Sequence, residues 1–217
     1  MRPSGGPSGG IVVACMLASC ASPQHPAEPA PDVRAEVRDA ETAEKERQHE
    51  VARTKYERAI TDARDPESAG YVRGRYGETL ATWGEYKAAI AQLEASVAAY
   101  PNDPAPWHDL GVIREHEDDS PGAIIALEHA VMLAKTDWRP RLAIAALRWK
   151  LAGHCFKQPG RDCSREVAAT KAEYEAMLEL DLPDRLRTKV SWALDQLALP
   201  RAGTAPAPEP AAPPPTP

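Results

Sequence analysis

The chain has 217 residues, of which 43% are hydrophobic and 27% charged, with a net charge of -6 and a pI near 5.6. This length leaves room for one domain with an ordinary hydrophobic core and a tail at each end. The acidic balance argues against a nucleic-acid-binding protein, which would need a basic face. No stretch of the sequence approaches the roughly 18 consecutive apolar residues of a membrane-spanning helix.

The N-terminal residues 1–19 have the layout of an export signal. Arg2 and a run of Gly, Ser and Pro precede a short apolar stretch from Ile11 to Ala18. The tetrapeptide Leu17-Ala18-Ser19-Cys20 resembles the lipobox of bacterial lipoproteins, which implies that Cys20 becomes the acylated first residue of the mature chain. Because Ala21 follows, the resemblance implies outer-membrane sorting in a Gram-negative host. An ordinary cleaved signal, or a buried apolar strand with incidental cysteines, is the alternative.

Residues 20–32 are rich in Pro and Ala and show no apolar periodicity, which predicts a flexible tether. Residues 33–66 are dominated by Ala, Glu, Arg and Lys, all good helix formers. Their second half contains Ala52-x-x-x-Tyr56-x-x-Ala59. The first half is too polar to be fully buried, and its alternating charges predict a solvated face, with a coiled-coil partner helix as the alternative.

The central part of the chain contains the same unit twice, at an offset of 34 residues. The first copy reads Tyr76-Gly77-x-x-Leu80, then Tyr86-x-x-Ala89-x-x-x-Leu93-x-x-Ser96, and closes with Pro101. The second copy reads Trp107-x-x-Leu110-Gly111, then Ala123-x-x-x-Leu127-x-x-Ala130. A fixed period of this length predicts a solenoid, in which each unit buries its apolar face against its neighbours.

These units resemble the tetratricopeptide repeat (TPR), a pair of helices packed closely together. The small residues Gly77 and Gly111 fit that packing because they let two helices approach. The departures are Arg73, Arg114 and Lys135, where the family has Trp, Tyr and Pro. The resemblance predicts an all-α solenoid of helical hairpins, with clear repeats at residues 70–103 and 104–137 and a degenerate repeat at 33–66.

A second degenerate repeat is predicted at residues 138–182. Arg141 to Leu151 forms an apolar helix, and its partner runs from Ser164 to Leu180. Between them, His154 to Cys163 is an insertion relative to the repeat period. This repeat would complete a stack of two clear and two degenerate units.

A last amphipathic helix is predicted at residues 183–199, where it would cap the open end of the stack. The five tryptophans of the chain are assigned mostly to packing positions between layers. Residues 200–217 are rich in Pro and Ala and are predicted to be disordered, because they cannot bury enough apolar surface to offset the ordering entropy.

The sequence contains no nucleophile elbow, no phosphate-binding loop and no zinc-type cysteine pairing. We therefore expect no enzyme activity, no cofactor and no metal. Cys155 and Cys163 lie eight residues apart in a chain with an export signal, which predicts a disulfide. A metal or redox site that also uses His154 is the alternative.

In the TPR family the first helices of successive repeats line a concave groove that receives an extended peptide or a helix. The resemblance implies the following groove residues here: Tyr71, Arg75, Glu78, His108, Val112, Glu115, His116, Arg139, Leu142, Trp149 and Lys150. Packing under the inserted loop is the alternative for Trp149. The lysine and asparagine set that clamps a C-terminal carboxylate in other TPR domains is absent, which argues against chaperone-tail binding.

Together these features predict a non-enzymatic adaptor or scaffold for protein-protein interaction in the bacterial cell envelope, lipid-anchored through Cys20 on the periplasmic face of the outer membrane. Other envelope proteins are the expected partners; by resemblance to other TPR lipoproteins they include cell-wall enzymes, a secretin or pilus assembly, or outer-membrane machinery. Nucleic acids and small-molecule substrates are not expected. The alternatives are an enzyme or a redox or metal-binding protein that uses the insertion, and a self-associating structural protein.

Overall fold

The computed structural model describes residues 31–198 of the chain. Within that range the chain forms nine α-helices and no strand, as the repeat pattern predicts. The helices are α1 (Pro31–Lys45), α2 (His49–Asp62), α3 (Pro66–Thr82), α4 (Tyr86–Ala99), α5 (Pro104–His116), α6 (Ser120–Leu133), α7 (Trp138–Phe156), α8 (Ser164–Leu178) and α9 (Asp184–Ala198).

The first eight helices pair as four hairpins, α1–α2, α3–α4, α5–α6 and α7–α8, and the second helix of each hairpin packs on the first helix of the next. The first helices α1, α3, α5 and α7 also contact one another in sequence. By contrast, no Cα atoms of different second helices in the described range lie within 8 Å of each other. A stack whose first helices are close and whose second helices are spread apart curves around the first helices, which therefore line its concave side.

The hairpins close where a glycine of one helix meets a leucine of the other. A Cβ atom built on Gly77 would lie 2.6 Å from Cγ of Leu93, and one built on Gly111 would lie 2.5 Å from Cγ of Leu127. Both distances are too short for a real side chain, so only glycine allows this helix spacing. The sequence pattern predicted close approach at both positions, and the structure shows it.

Three first helices begin after an aspartate that caps the helix. The carboxylates of Asp65, Asp103 and Asp137 each accept a hydrogen bond from a backbone N–H in the first turn of α3, α5 and α7. The helix α3 begins at Pro66, four residues before the predicted start of that repeat at residue 70. The 34-residue offset misses this first turn because the cap Asp65 stands 38 residues before Asp103, not 34.

The inserted segment is shorter than the sequence pattern predicts. Helix α7 continues to Phe156, so residues 154–156 are helical, and the loop before α8 spans residues 157–163. The structure joins Cys155 and Cys163 in a disulfide, with their Cα atoms 5.9 Å apart. Both cysteines are buried. The bond thus fastens the last turn of α7 to the residue before α8.

The hydrophobic core has two parts. The first extends from α1 through α6 and includes Tyr56, Leu80, Leu93 and Leu110. The second joins α7, α8 and α9, and its buried members are Ala145, Tyr174, Met177, Leu182, Val190 and Ala193. The helix α9 packs on α8 but brings no Cα atom within 8 Å of α7. It covers the end of the last hairpin from the side of α8, as a capping helix should.

Candidate functional site

The concave side exposes part of each first helix because such a helix uses one stripe on its hairpin partner and another on its neighbours. Among the predicted groove residues, the exposed ones are Glu78, Val112, His116, Arg139 and Lys150. The half-buried ones are Tyr71, Arg75, His108, Glu115, Leu142 and Trp149. Their surroundings divide them into three groups: charged residues that link the helices, an open strip on α3 and α5, and residues held in packing contacts.

Ion pairs link neighbouring first helices across the concave side. Arg75 on α3 donates from Nη2 to Oε1 of Glu41 on α1 at 2.6 Å, and from Nη1 to Oε2 of Glu78 at 2.6 Å. Farther along, Nζ of Lys150 on α7 lies 3.0 Å from Oε1 of Glu115 on α5. These side chains are partly exposed, so each pair contributes little to stability but fixes where its charges stand.

Three carboxylates gather where α3 meets α5. Burial raises the pKa of the Glu78 carboxyl, Arg75 opposes that rise, and the negative charge of Asp109 adds to it. Burial also raises the pKa of Asp103, and Asp109 again contributes to the rise. The nearest histidine, His108, has its Nδ1 3.1 Å from Oδ1 of Asp109. We call Glu78, Asp103 and Asp109 the carboxylate cluster. The charge of Arg75 acts on Glu78 and Asp103, and the charge of Arg139 acts on Asp109, so three negative charges stand near two positive ones.

Arg139 is engaged with its own helix cap. Its guanidinium donates to both carboxylate oxygens of Asp137, from Nη2 at 2.8 Å and from Nε at 3.0 and 3.1 Å. These hydrogen bonds lower the pKa of Asp137. Arg139 therefore lies on the predicted face with its charge largely balanced by Asp137, and it offsets the carboxylate cluster only in part, through Asp109.

Four predicted groove residues also make packing contacts, although Tyr71, Leu142 and Trp149 are half-buried and His116 is exposed. Trp149 and Leu142 pack against the second core, and the Trp149 ring meets the Tyr174 ring edge-on, with centroids 6.2 Å apart. Trp149 therefore faces α8. These contacts do not support the alternative that Trp149 packs under the inserted loop. Tyr71 packs against the first core. The ring of His116 lies 4.0 Å, centroid to centroid, from the ring of Tyr86 at the start of α4.

The open strip that remains runs along α3 and α5. Val112 is 44% exposed and is the large apolar side chain of this strip. Glu78 lies on α3, and Asp109 lies on α5, three residues before Val112, with its charge acting on Glu78. An exposed apolar side chain next to fixed negative charge is suited to hold a peptide that carries both an apolar and a basic residue.

Sequence reasoning missed Glu41, Asp103 and Asp109. Glu41 was assigned to the polar first helix, yet it precedes Glu78 by 37 residues, the same spacing that separates Ala52 from Ala89. That common spacing could have identified it. Asp103 lies before the start of α5, so helical periodicity does not predict where its side chain points.

Residues 31–198 contain no group of three or more His, Cys, Asp or Glu side chains arranged to hold a metal ion. In the same range no helix is long and apolar enough to cross a bilayer. The disulfide uses both sulfur atoms of the insertion, so a metal site built on His154 would have no thiolate ligand there. Cys20, the predicted lipidation site, lies outside the described residues.

Comparison with known proteins identifies the fold. No family model and no curated protein matches the sequence. Among solved structures, Pseudomonas aeruginosa pilF aligns with a TM-score of 0.56 and 18% identity, over 76% of this chain and 71% of that one. A monomeric mutant of IFIT1 with Gppp-AAAA aligns with a TM-score of 0.55 and 14% identity, over 76% of this chain and 37% of that one. The Yersinia enterocolitica type III secretion chaperone SycD, in complex with a peptide of the translocator YopD, aligns with a TM-score of 0.48 and 16% identity, over 58% and 88%. At these identities the likeness shows the fold alone, which is the TPR solenoid.

Proposed function

We propose that this TPR solenoid is a non-enzymatic adaptor that binds a segment of a partner protein along the open strip of its concave side. The observation that carries the proposal is the contrast within that side. Leu142, Trp149 and Tyr71 are half-buried and packed against the cores, whereas Val112 and Glu78 are exposed to solvent. A rigid scaffold that exposes a strip of polar and apolar side chains is suited to bind a segment of a partner protein.

The electrostatics indicate what such a segment carries. The charge of Asp109 acts on both Glu78 and Asp103, and burial raises the pKa of each of those two carboxyls. A lysine or arginine of the partner would relieve this repulsion, because an opposite charge lowers the free energy of each carboxylate. We therefore propose a partner segment with a basic residue near an apolar one.

The test compares two variants that change the same residue types on opposite sides of the solenoid. The groove variant is Glu78→Lys with Val112→Asp. The control is Glu57→Lys on α2 with Ile125→Asp on α6, because Glu57 is exposed and Ile125 is 55% exposed. Partners are first identified by crosslinking to the wild-type chain in cell envelopes, and each purified partner is then titrated against both variants.

The expected result is a loss of affinity of at least about tenfold for the groove variant and less than about twofold for the control, since truncated or reversed anchors dominate binding. Circular dichroism should show the same thermal midpoint for both. Equal binding by a folded groove variant would place the interface on another surface and overturn the proposal.

We propose further that the protein acts in the bacterial cell envelope, anchored by an acyl group on Cys20 at the periplasmic face of the outer membrane. The support is Leu17-Ala18-Ser19-Cys20 at the end of a short apolar segment, followed by Ala21. Mass spectrometry of the mature N-terminus should find an acylated Cys20, and Cys20→Ala should move the protein from the membrane to the soluble fraction. A Cys20→Ala variant that stays in the membrane with unchanged mobility would refute the anchor.

A further inference from the structure

The three joints between neighbouring first helices are held differently on the concave side. At the α1–α3 joint, Arg75 donates from Nε and Nη2 to Oε1 of Glu41, at 2.9 and 2.6 Å. At the α5–α7 joint, Nζ of Lys150 lies 3.0 Å from Oε1 of Glu115. Among the described residues, no side-chain hydrogen bond or ion pair joins α3 to α5. The middle joint of the groove is therefore the one without a bridge.

The helices α3 and α5 approach each other closely at one point. A Cβ atom built on Gly74 would lie 3.0 Å from Cγ of Pro106, so the two helices cannot move closer there. Beyond this contact, which we call the pivot, α3 continues to Thr82 and α5 to His116. The helix α4 packs on both of them and lies on the convex side. A tilt of one hairpin against the other about the pivot thus changes mainly the distance between the C-terminal ends of α3 and α5.

Like charges follow the pivot on both helices. Glu78 lies one turn after the α3 residue of the pivot, Asp109 lies one turn after the α5 residue, and the charge of Asp109 acts on Glu78. Arg75 does not cancel this repulsion, because its guanidinium is shared between Glu78 and Glu41. The charge of Arg139 acts on Asp109, but its guanidinium is bound to the aspartate that caps α7. The excess negative charge therefore favours a wider separation of the two helices beyond the pivot.

We propose that the α3–α5 joint is a hinge of the groove, which repulsion between Glu78 and Asp109 holds open and a cationic side chain of the bound segment closes. This role of the joint rests on the proposed function, whose expected lysine or arginine supplies the closing charge. A cation between the two carboxylates replaces repulsion by attraction, and the two hairpins tilt towards it as rigid bodies. The movement is concentrated at this joint because the other two joints are already bridged.

The experiment measures the opening of the hinge without any partner, by double electron–electron resonance between spin labels at the ends of α3 and α5. The labels are attached to Thr82→Cys and Glu117→Cys, both at exposed positions. All proteins are full-length and carry Cys15→Ala and Cys20→Ala, which leaves the two engineered thiols and the native disulfide.

Two variants change the charge of the joint. Glu78→Gln with Asp109→Asn removes the repulsion, and Asp109→Lys places a cation in the joint itself. The matched control is Glu50→Gln with Glu57→Gln, which removes two carboxylates at exposed positions on α2.

We expect both joint variants to shorten the mean distance between the labels, and Asp109→Lys to shorten it more. The arm from Gly74 to Thr82 is about 12 Å long, so a tilt of about 10° shortens the distance by about 2 Å. The control should keep the parent distance, because its carboxylates do not face the joint.

Unchanged distances in both joint variants, with circular dichroism showing them folded, overturn the hinge, and so does an equal shortening in the control. If Asp109→Lys does not fold, the neutral double variant decides alone. These outcomes are separate from partner capture. A joint that does not move leaves the groove proposal standing, and a groove variant that still binds its partner does not alter the distances measured here in the free chain.

Discussion

Arg114 on α5 donates from Nη2 to Oε1 of Glu94 on α4 at 2.6 Å, across the joint between two hairpins. Arg148 on α7 makes the same bond to Glu128 on α6 at 3.1 Å. Both arginines and both glutamates are offset by 34 residues, so one ion pair is repeated at successive joints. Arg114 stands where the TPR pattern has Tyr. The departure from the family pattern is thus matched by a glutamate on the preceding hairpin.

The repeated ion pair should show measurable coupling. We expect a double-mutant cycle of Arg114→Met and Glu94→Gln to give a coupling free energy of about 0.5 to 1 kcal/mol, because the arginine is mostly buried and the glutamate about half exposed. Urea unfolding at low and high salt measures it, and salt should reduce it. The exposed pair Arg58 and Asp62 within α2 is the control, with an expected coupling below about 0.5 kcal/mol. Zero coupling at the joint would mean that the bond fixes geometry without stabilising the stack.

The glycines at the hairpin crossings should not tolerate a methyl group. Gly77→Ala and Gly111→Ala place a Cβ less than 3 Å from a leucine of the partner helix. We expect each substitution to destabilise the fold by about 1 to 3 kcal/mol through overpacking. This cost exceeds the stabilisation of up to about 1 kcal/mol that the higher helix propensity of alanine provides.

Gly153→Ala in α7 is the matched control for these two variants, because nothing lies within 4 Å of the Cβ that it adds. It should stabilise the protein by about 0.5 to 1 kcal/mol. Thermal and urea unfolding of the three variants test the argument. Stabilisation by Gly77→Ala would show that the helices can separate at no cost, and that the close approach is not what selects glycine.

The glycine positions also show why much of the fold was predictable. A hairpin whose helices cross at a fixed point needs a small residue at the same place in each unit. The 34-residue spacing of Gly77 and Gly111 therefore predicts where the helices cross. The candidate site was less predictable because spacing assigns a residue to a helix face without saying what packs on that face. Trp149 and Leu142 were assigned to the groove, but both also pack against the second core, and Trp149 meets Tyr174 of α8.

Trp192 shows the opposite error. The assignment of tryptophans to packing layers suits Trp107, which is half-buried and stacked on His129 with ring centroids 4.3 Å apart. It fails for Trp192, which is 60% exposed, because no helix in the described range follows α9 to bury its outer side. Periodicity inside a solenoid therefore predicts packing well only where a neighbour stands on both sides.

Alkaline pH should destabilise the protein through Tyr56. Burial raises the pKa of its hydroxyl to about 12, while a hydrogen-bonding contact of 3.0 Å with Thr79 opposes the rise. A pKa above the unfolded value favours the neutral form in the folded state, so this contribution is complete below pH 10 and is lost as the pH rises from 10 towards 12. The expected loss is about 1 kcal/mol at pH 11.

Tyr56→Phe should remove this part of the pH dependence. The variant should be less stable at pH 8, because the buried hydrogen bond between Tyr56 and Thr79 is lost and Thr79 keeps only its bond to the Arg75 carbonyl. Its free energy of unfolding should fall less between pH 8 and pH 11 than that of the wild type. Tyr174→Phe is the comparison, since burial also raises the pKa of Tyr174 and a smaller effect is expected there. Parallel pH profiles for the wild type and Tyr56→Phe would mean that Tyr56 does not titrate in this range.

The disulfide should stabilise the last hairpin and have no effect on the groove. Cys155 and Cys163 close a loop of eight residues, for which the chain-entropy estimate gives roughly 2.5 kcal/mol of stabilisation. We expect Cys155→Ala with Cys163→Ala to lower the free energy of unfolding by about that amount, since the loop then gains freedom in the unfolded chain. Reducing agent should lower the stability of the wild type similarly and leave the double variant unchanged.

Thiol labelling of natively exported protein should find neither cysteine reactive, and partner binding by the double variant should equal that of the wild type. Two reactive thiols in the exported protein would contradict the bond, and a loss of partner binding in a folded double variant would assign the insertion a role in recognition.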